Sequence, residues 1–410
     1  MTDVDVCIIG GGPAGMVAGL LFARAGLKTT VLEKHKDFLR DFRGDTVHPS
    51  TLRIFSELGL LDELLQRPHQ KVERLGARIA GRDMQIVDLT HLNVPAPYIA
   101  LMPQWDFLDF VADAARRYPE FDLRQSSEGT ELIEEGGRVL GVKTADGREI
   151  RARLTIAADG RDSRHRDGLP ATQIGAPMDV FWFRIPKVAQ PENDTMGVFD
   201  TGTLFVLIDR ADYYQCAFVF PKGGADKIRG EGLNAFRDRV RAIGPETATV
   251  DQGVTSWDDV KLLTVTVDRL ERWDRPGLLV IGDAAHAMSP IGGVGINLAV
   301  QDAVAAANIL AAAMIAGDDV DSLLHQVHDR RIRAVKLTQG MQKMVQDTVI
   351  APLLSSTEPL DGPPLAAKLF DRIPLLRRIP AQVIGMGFRP EHVRSPEAKS
   401  EMQRRTPTST

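Results

Sequence analysis

The amino-terminal stretch VDVCIIGGGPAGMVAGLLFARAG limits the possible folds more than any other part of the sequence. Residues 4–9 form an apolar run typical of a buried strand, residues 13–25 have helical spacing, and residues 29–32 are a second apolar run. A strand, a helix and a strand in this order form a βαβ unit, in which the two strands are parallel and the crossover between them is right-handed. The sequence therefore predicts an α/β fold built on a parallel sheet.

The turn inside this unit has the pattern Gly10-x-Gly12-x-x-Gly15, and Glu33 follows at the end of the second strand. The first glycine allows a tight turn, the second lets a pyrophosphate approach the backbone, and the third lets helix and strand pack closely. The helix start offers unpaired N–H groups to phosphates, and Glu33 is placed to accept hydrogen bonds from ribose hydroxyls. The pattern predicts a dinucleotide, either FAD or NAD; the alternative is a glycine-rich turn without a ligand. The predicted binding residues of this turn are Gly10, Gly12, Pro13, Ala14 and Gly15.

Two later motifs bear on the choice between FAD and NAD. TIAADGRDSRHR places Asp159 and Gly160 at the end of a predicted strand, a pattern that by itself is typical of a plain turn. GDAAHAMSPIGGVGIN, residues 282–297, joins Gly282-Asp283 to a proline and three glycines just before an alanine-rich helix. With these motifs in this order, residues 1 to about 345 resemble the flavoprotein aromatic hydroxylases, the single-component FAD monooxygenases typified by para-hydroxybenzoate hydroxylase.

The resemblance implies FAD as the cofactor and NADPH or NADH as the reductant. No second GxGxxG pattern is present, so the chain lacks a separate NAD(P)H domain, and the nicotinamide is expected to bind only transiently, as in the family. It implies that Asp283 binds a ribityl hydroxyl and that Asp159 serves FAD and nicotinamide binding. It also implies that Arg43, a better candidate than Arg40, meets the pyrophosphate and that Gln104 touches the ribityl chain. The alternatives for Arg43 and Gln104 are a solvated loop arginine and a polar residue at a helix start. The predicted FAD contacts of the last motif are Asp283, Pro290, Gly293, Gly295, Ile296 and Asn297.

The activity that the resemblance implies is hydroxylation of an aromatic or polyketide-like small molecule with dioxygen, through a C4a-hydroperoxyflavin. The chemistry is centred on the flavin, so no catalytic side chain is assigned. Aromatic residues in the short strands of residues 177–220 suit a flat, apolar substrate. Period-2 alternation leaves open which face of these strands meets the substrate. The candidate pocket residues are Phe181, Phe183, Tyr213, Tyr214, Phe218, Phe220 and Pro290.

Two other functions compete with this one. The first is a flavin halogenase or a prenyl-chain reductase of the same fold. Halogenases of this group carry Trp-x-Trp-x-Ile-Pro, whereas this chain has Phe181-x-Phe183-x-Ile185-Pro186, which weakens that interpretation. The second is a carrier of the fold without a working flavin, as in the GDP-dissociation inhibitors; the intact last motif argues against it.

The βα pattern is interrupted by β-rich segments and returns at residue 277. We therefore expect a Rossmann-like FAD-binding domain interleaved with a smaller, β-rich substrate domain and followed by a helical segment. Residues 364–388 are predicted to pack on the domain as an amphipathic segment, with a lid or a membrane-surface contact as alternatives. The predicted boundaries are 1–71, 98–172 and 262–348 for the FAD-binding domain, 73–97 and 173–261 for the substrate domain, and 349–410 for the C-terminal helical tail.

Charge and cysteine content narrow the class of partner. The formal net charge of -5 provides no basic field for nucleic acid. Cys7 and Cys216 are far apart and form no metal or redox spacing, so we expect no metal and a cytoplasmic location. The apolar run 303–316 is too short to span a bilayer, and membrane contact is not expected. The expected partners are a small aromatic or polycyclic substrate and O2, and the expected state is a monomer or homodimer.

Overall fold

The computed structural model describes residues 2–39, 46–187, 196–210, 212–358 and 360–398. The strands are β1 (Val4–Ile9), β2 (Thr29–Leu32), β3 (Thr46–Val47), β4 (Gln70–Val72), β5 (Arg74–Ile79), β6 (Arg82–Asp88), β7 (Ile99–Leu101), β8 (Phe121–Arg124), β9 (Gly129–Glu135), β10 (Arg138–Thr144), β11 (Glu149–Ala157), β12 (Ala171–Gln173), β13 (Met178–Pro186), β14 (Met196–Asp200), β15 (Thr203–Asp209), β16 (Tyr213–Pro221), β17 (Lys261–Leu263), β18 (Asp268–Leu270), β19 (Asp274–Arg275) and β20 (Leu278–Val280). The α-helices are α1 (Pro13–Arg24), α2 (Pro49–Glu57), α3 (Leu61–Leu64), α4 (Gln104–Ala115), α5 (Ala225–Gly230), α6 (Leu233–Arg241), α7 (Val250–Gly253), α8 (Gly295–Ala316), α9 (Asp321–Val345), α10 (Ala351–Ser355), α11 (Leu365–Arg372) and α12 (Arg378–Gly385). Short 3₁₀ or π turns cover Pro245–Thr247, Trp257–Asp259, Gly282–Ala284, Ile291–Gly293, Gln346–Ile350 and Pro374–Arg377.

A parallel sheet forms the centre of the nucleotide-binding part, which confirms the predicted α/β class. Its order is β19-β20-β11-β1-β2-β8, and β1 pairs in parallel with both β2 and β11. The carboxyl ends of β1, β2, β11 and β20 therefore lie at one edge of the sheet. Because ligands of open α/β sheets bind at that edge, it is where the predicted motifs have to meet.

Helices α1 and α8 pack against each other beside this sheet. Helix α8 is rich in alanine, and the small side chains let the two helices approach closely; its face toward α1 and the sheet is part of the main apolar core. The helical stretch Ile291–Ala316 is long and apolar enough to cross a membrane by length and composition, but 72% of its most apolar window is buried within the protein. The burial identifies α8 as a core helix of this fold.

A second sheet has the order β17-β13-β16-β15-β14-β5-β6 and is antiparallel except where β14 pairs with β5. Its strands come from residues 74–88 and 178–263, in two separate parts of the chain. This membership supports the interleaved division proposed from the sequence. The boundary at residue 262 has to move, however, because it falls inside β17, which pairs with β13.

The carboxyl-terminal segment packs first on the second sheet and then returns to the nucleotide-binding part. Helices α11 and α12 pack against β6, and the chain then runs on to Ala398 without a regular element. There the N–H of Ala398 donates to the carbonyl of Arg24 at 2.9 Å, and the guanidinium of Arg24 pairs with Glu397. The segment after α12 is therefore fastened to the end of α1.

Candidate active site

Glycine occupies the three positions of the first turn for three different structural reasons. Gly10 has φ +105°, and a Cβ on it would lie 2.5 Å from the carbonyl oxygen of Ala158. A Cβ on Gly15 would lie 1.9 Å from the carbonyl oxygen of Gly10, so this glycine sets the spacing of helix and strand. Nothing lies within 4 Å of the Cβ position of Gly12. Gly12 is thus the one of the three that faces open space, which fits a phosphate group at the start of α1.

Glu33 lies at the end of β2 and is 7% exposed. One carboxylate oxygen, Oε2, accepts the N–H of Gly11 at 3.0 Å, and Oε1 accepts the N–H of His35 at 2.9 Å. These bonds hold the carboxylate beside the glycine turn. Its predicted role toward a ribose remains a proposal, and its position at the strand end supports it.

The last motif touches the first one directly. Gly282 has φ +64°, and a Cβ on it would lie 2.9 Å from the Cβ of Ala14. Asp283 follows, with its side chain one-third exposed, and its Oδ2 accepts the Nε–H of Arg161 at 3.1 Å. Arg161 belongs to the Asp-Gly motif, so all three motifs meet at the carboxyl edge of the parallel sheet. This meeting explains why glycine is needed at two positions about 270 residues apart.

The Asp-Gly motif has an open side of its own. Asp159 Oδ2 lies 2.9 Å from Nδ1 of the buried His165, whereas its Oδ1 is buried without a hydrogen-bond partner among the described residues. Gly160 has φ +90° and nothing within 4 Å of its Cβ position. A buried carboxylate oxygen without a donor is costly, so this position fits a donor from a ligand or an ordered water molecule.

Residues 290–297 form a second glycine turn at the start of α8. Gly292 and Gly293 have φ of +77° and +63°. Helix α8 begins at Gly295, and the first N–H groups of a helix, here those of Gly295, Ile296 and Asn297, lack intrahelical acceptors. Together with the helix dipole they favour a negatively charged group, as the resemblance requires for the pyrimidine end of a reduced flavin.

The Asn297 side chain forms hydrogen bonds with other protein groups, and its predicted contact with FAD stays a prediction. Its Oδ1 accepts the N–H of His48 at 3.0 Å and the hydroxyl of Thr51 at 2.7 Å. The residue is 4% exposed. Its Nδ2 donates to the carbonyl of Gly293 at 3.5 Å, so the side chain joins the start of α2 to the second glycine turn.

His48 has a role that the sequence did not indicate. It is 1% exposed, and its Nδ1 donates to the carbonyl of Ile384 at 2.7 Å. Burial lowers the pKa of His48 to about 4, so the imidazole is neutral and is not a general base at pH 7. Its Nε2 lies 3.5 Å from the position of a Cβ on Gly293. His48 thus joins α12 to the second glycine turn, across 336 residues of chain that no local pattern connects.

A buried ionic network underlies the last motif. Asp302 Oδ1 accepts the Nε–H of Arg331 at 2.9 Å, and its Oδ2 lies 2.5 Å from Nε2 of His286 and accepts the N–H of Gly282 at 3.2 Å. Asp302 and Arg331 are both fully buried. Burial alone raises the pKa of Asp302, but His286 and Arg331 outweigh that effect and hold the pKa below its ordinary value.

The same network reaches the carboxyl-terminal segment. Arg331 lies 3.6 Å from the carboxylate of Glu391, and its NH1 group donates to the carbonyl of Arg389 at 3.4 Å. Glu391 is itself buried and pairs with Arg330 at 2.6 Å. The segment after α12 therefore contacts the buried network below the motif around Asp283. A segment that acted only as a lid over the substrate entrance would not need these contacts.

The structure corrects the assignment of the predicted pocket aromatics. Side chains on the outer face of the second sheet pack against α5, α6 and α7 around Phe236, and none of them is more than 7% exposed. They form a closed core, because the helices cover that face completely. The predicted pocket residues on the outer face are Phe181, Phe183, Tyr214, Phe218 and Phe220.

The inner face of the second sheet carries the alternate residues Val180, Trp182, Leu204, Val206, Ala217 and Val219. Ile291 of the second glycine turn packs against this cluster. Of the predicted pocket residues, Tyr213 shares the inner-face alternation and stacks under the guanidinium of Arg184 at 4.9 Å. The surface that meets the second glycine turn is therefore aliphatic with one tryptophan.

All the predicted FAD contacts stay predictions, and for two of them the structure adds little. Gln104 is the first residue of α4, which packs beside α1. Arg43 and the weaker candidate Arg40 lie outside the described residues.

Comparison with known proteins identifies the family of this chain. The model of the family described as "FAD binding domain" matches residues 3–340. The 6-methylpretetramide 4-monooxygenase of Streptomyces rimosus is 34% identical over 386 residues, which are 92% of this chain and 90% of that protein. The rifampicin monooxygenase of Streptomyces venezuelae is 27% identical over 89% of this chain and 74% of that protein. The p-nitrophenol 4-monooxygenase of Pseudomonas putida DLL-E4 shares the fold, with a TM-score of 0.78 and 20% identity over 95% of this chain and 100% of that chain.

Proposed function

The chain belongs to the FAD-binding domain family, and we propose that it is an FAD-dependent monooxygenase that hydroxylates an aromatic or polyketide-like small molecule. NADPH or NADH serves as the transient reductant. Bound FAD supplies the redox chemistry: one atom of dioxygen enters the product and the other leaves as water. The protein supplies binding, orientation and a dry cavity.

One observation carries the proposal: the first glycine turn and Gly282 of the last motif touch each other at the carboxyl edge of the parallel sheet. The Cβ position of Gly282 lies 2.9 Å from Ala14, while Gly12 and Gly160 present open sides. We infer that one long ligand lies along these motifs, with its phosphates at α1 and its ring at α8. The donor set fits FAD, because N–H groups at two helix starts suit the pyrophosphate and an anionic ring.

In this proposal the protein groups have separate tasks. Gly12 and the start of α1 bind the pyrophosphate, with Arg43 as a further cation, and Glu33 binds the adenosine ribose. Asp283, held by Arg161, and Gln104 bind the ribityl chain. The first N–H groups of α8 hold negative charge at the pyrimidine end of the ring.

The substrate is proposed to be polycyclic. The 6-methylpretetramide 4-monooxygenase is a relative that matches along nearly the full length of both chains, and Ile291 of the second glycine turn packs against the apolar inner face of the second sheet. An apolar wall excludes water, which protects a reactive oxygen species from decay to peroxide. A monomer or homodimer and a cytoplasmic location complete the proposal; the two buried free thiols fit a reducing compartment.

The decisive experiment uses the purified holoenzyme with a panel of phenolic and polycyclic compounds. We expect FAD to be released by heat, and at least one compound to stimulate NAD(P)H oxidation. With ¹⁸O-labelled dioxygen, one labelled atom should appear in the product.

Other outcomes identify the competing functions. Turnover under strict anaerobiosis indicates a prenyl-chain reductase, and a requirement for halide with a separate flavin reductase indicates a halogenase. A colourless protein that does not bind added FAD indicates a non-catalytic carrier. Each of these results contradicts the monooxygenase proposal.

A further inference from the structure

Trp182 lies in the middle of the inner face of the second sheet. In β13 the side chains alternate, so Phe181 and Phe183 enter the outer core and Trp182 points the other way. Its direct neighbour in β16 is Ala217, whose neighbour in β15 is Val206. On one side of the indole the row therefore continues with a methyl group and a valine, and Lys261 of β17 is the direct neighbour on the other side.

This row lies at the boundary between two apolar clusters. Trp182 and Val206 pack against the cluster that contains Ile350 and Leu353 near α10, and equally against the cluster that contains Leu101 and Ala381 of α12. Ile291 of the second glycine turn borders the first of these clusters. Trp182 thus lies where the two clusters adjoin, and Ile291 of the proposed flavin-binding turn packs against one of them.

The indole N–H of Trp182 has no acceptor in the part of the chain that the structure describes. Nε1 is buried, although the residue as a whole is partly exposed. A desolvated donor without a partner is destabilising, so such groups are normally satisfied by protein, water or ligand. Ala217 and Val206 on one side of the indole are apolar, and the ammonium of Lys261 on the other side is only a donor, so none of these side chains supplies an acceptor for the indole N–H.

Building on the function proposed above, we propose that the Trp182 indole N–H is the hydrogen-bond donor that recognises a substrate oxygen, a phenol, phenolate or ring carbonyl. The indole face supplies stacking area to a flat ring, and its N–H selects oxygenated over purely hydrocarbon rings. The substrate class is thus a polycyclic aromatic that bears an oxygen at the edge facing β13. Trp182 is a specificity-determining residue in this scheme, and no bond is made or broken at it.

The test compares naphthol with naphthalene as probes, since they share a ring system and differ by one hydroxyl. Binding to the FAD-loaded protein is followed by the change in flavin absorbance. We expect wild type to bind naphthol more tightly, and Trp182→Phe to weaken naphthol binding about three- to tenfold, the range for one neutral hydrogen bond, while naphthalene binding stays within about twofold.

Trp257→Phe is the matched control. Trp257 belongs to the same domain but packs on the outer core against Phe181 and Phe236, at ring distances of 6.1 and 5.4 Å. It should keep the wild-type preference for naphthol. Loss of the preference in both variants would show a general loosening of the domain and would overturn the assignment, as would a wild type without preference or a Trp182→Phe variant that keeps it.

A second measurement does not depend on how well Trp182→Phe folds. The chain has 4 tryptophans, so ¹⁵N-indole labelling gives a simple spectrum that single Trp→Phe variants at the other positions assign by elimination. The Trp182 N–H proton signal should move downfield with naphthol, as a new hydrogen bond requires, and should not move downfield with naphthalene; absence of the downfield shift with naphthol contradicts the proposal. Failure of the labelled-oxygen experiment alone would remove the monooxygenase function and leave this binding result standing, so the two proposals fail separately.

Discussion

Replacing Arg331 with Met should destabilise the protein severely, because it leaves Asp302 as a buried charge with only His286 beside it. Asp302 and Arg331 are both 0% exposed, and their atoms Oδ1 and Nε are 2.9 Å apart. Removing one partner of such a pair typically costs about 3–5 kcal/mol, since the remaining charge keeps its desolvation penalty. We expect Arg331→Met to lower the free energy of unfolding by about that amount.

The neighbouring Arg330 provides the matched control. It lies on the same helix and pairs with the same residue, Glu391, but its side chain is 40% exposed. Water solvates this guanidinium and screens the pair, so Arg330→Met should cost only about 1 kcal/mol. The two variants differ in the burial of the replaced guanidinium and in its main partner, which is Asp302 for Arg331 and Glu391 for Arg330, and their free energies of unfolding should differ by at least about 2 kcal/mol.

The assay is urea unfolding of the holoenzyme, followed by far-UV circular dichroism and by flavin release. The double variant Asp302→Asn with Arg331→Met removes both charges, and it should recover at least about 1 kcal/mol relative to Arg331→Met alone. Since Asp302 also accepts the N–H of Gly282, Arg331→Met should release FAD at lower urea than Arg330→Met. Equal unfolding curves for the two single variants, or no recovery in the double variant, would refute the reasoning.

Three further predictions follow from the site. Gly12→Leu should fold yet lose FAD binding in a titration of apoprotein, because only open space surrounds its Cβ position, whereas Gly15→Ala should not fold, because its Cβ would lie 1.9 Å from the oxygen of Gly10. The folded-state pKa of His48, about 4, is below its ordinary value of 6.5, so wild type should be fully stabilised above pH 6.5 and lose stability as the pH falls toward 4; His48→Gln should show a smaller loss in melting experiments across that range. Deleting residues 364–410 should lower thermal stability and FAD affinity together, and a truncated protein with wild-type FAD affinity would mean that the segment is only a cover.

Much of the fold was accessible from local sequence patterns. The apolar runs around Gly10, Gly12 and Gly15 predict strand, turn and helix, because a tight turn and a close helix–strand approach require those glycines at those positions. The order of the three motifs indicated FAD, and the position of each motif at a strand end placed it at the binding edge. The sequence could indicate this much because each feature depends on residues close together in the chain.

The choice between the two faces of the second sheet needed the tertiary structure. Alternation in β13 separates Phe181 and Phe183 from Trp182, but a period of two is the same from either side. The larger aromatics suggested the substrate face, whereas α5, α6 and α7 cover them and turn them into core. Which face is covered depends on where the helices pack, and strand residues do not encode that locally.

A parallel sheet with dinucleotide-binding turns could be predicted from the amino-acid sequence, since turn and strand formation obey short-range rules. The contact of the Ile384 carbonyl with His48, and the position of Glu391 beside the pair of Arg331 and Asp302, could be seen only in the folded chain. The residues in these contacts are 29 to 336 positions apart. A buried polar group has to find a partner somewhere in space, and the path of the whole chain determines which partner is within reach.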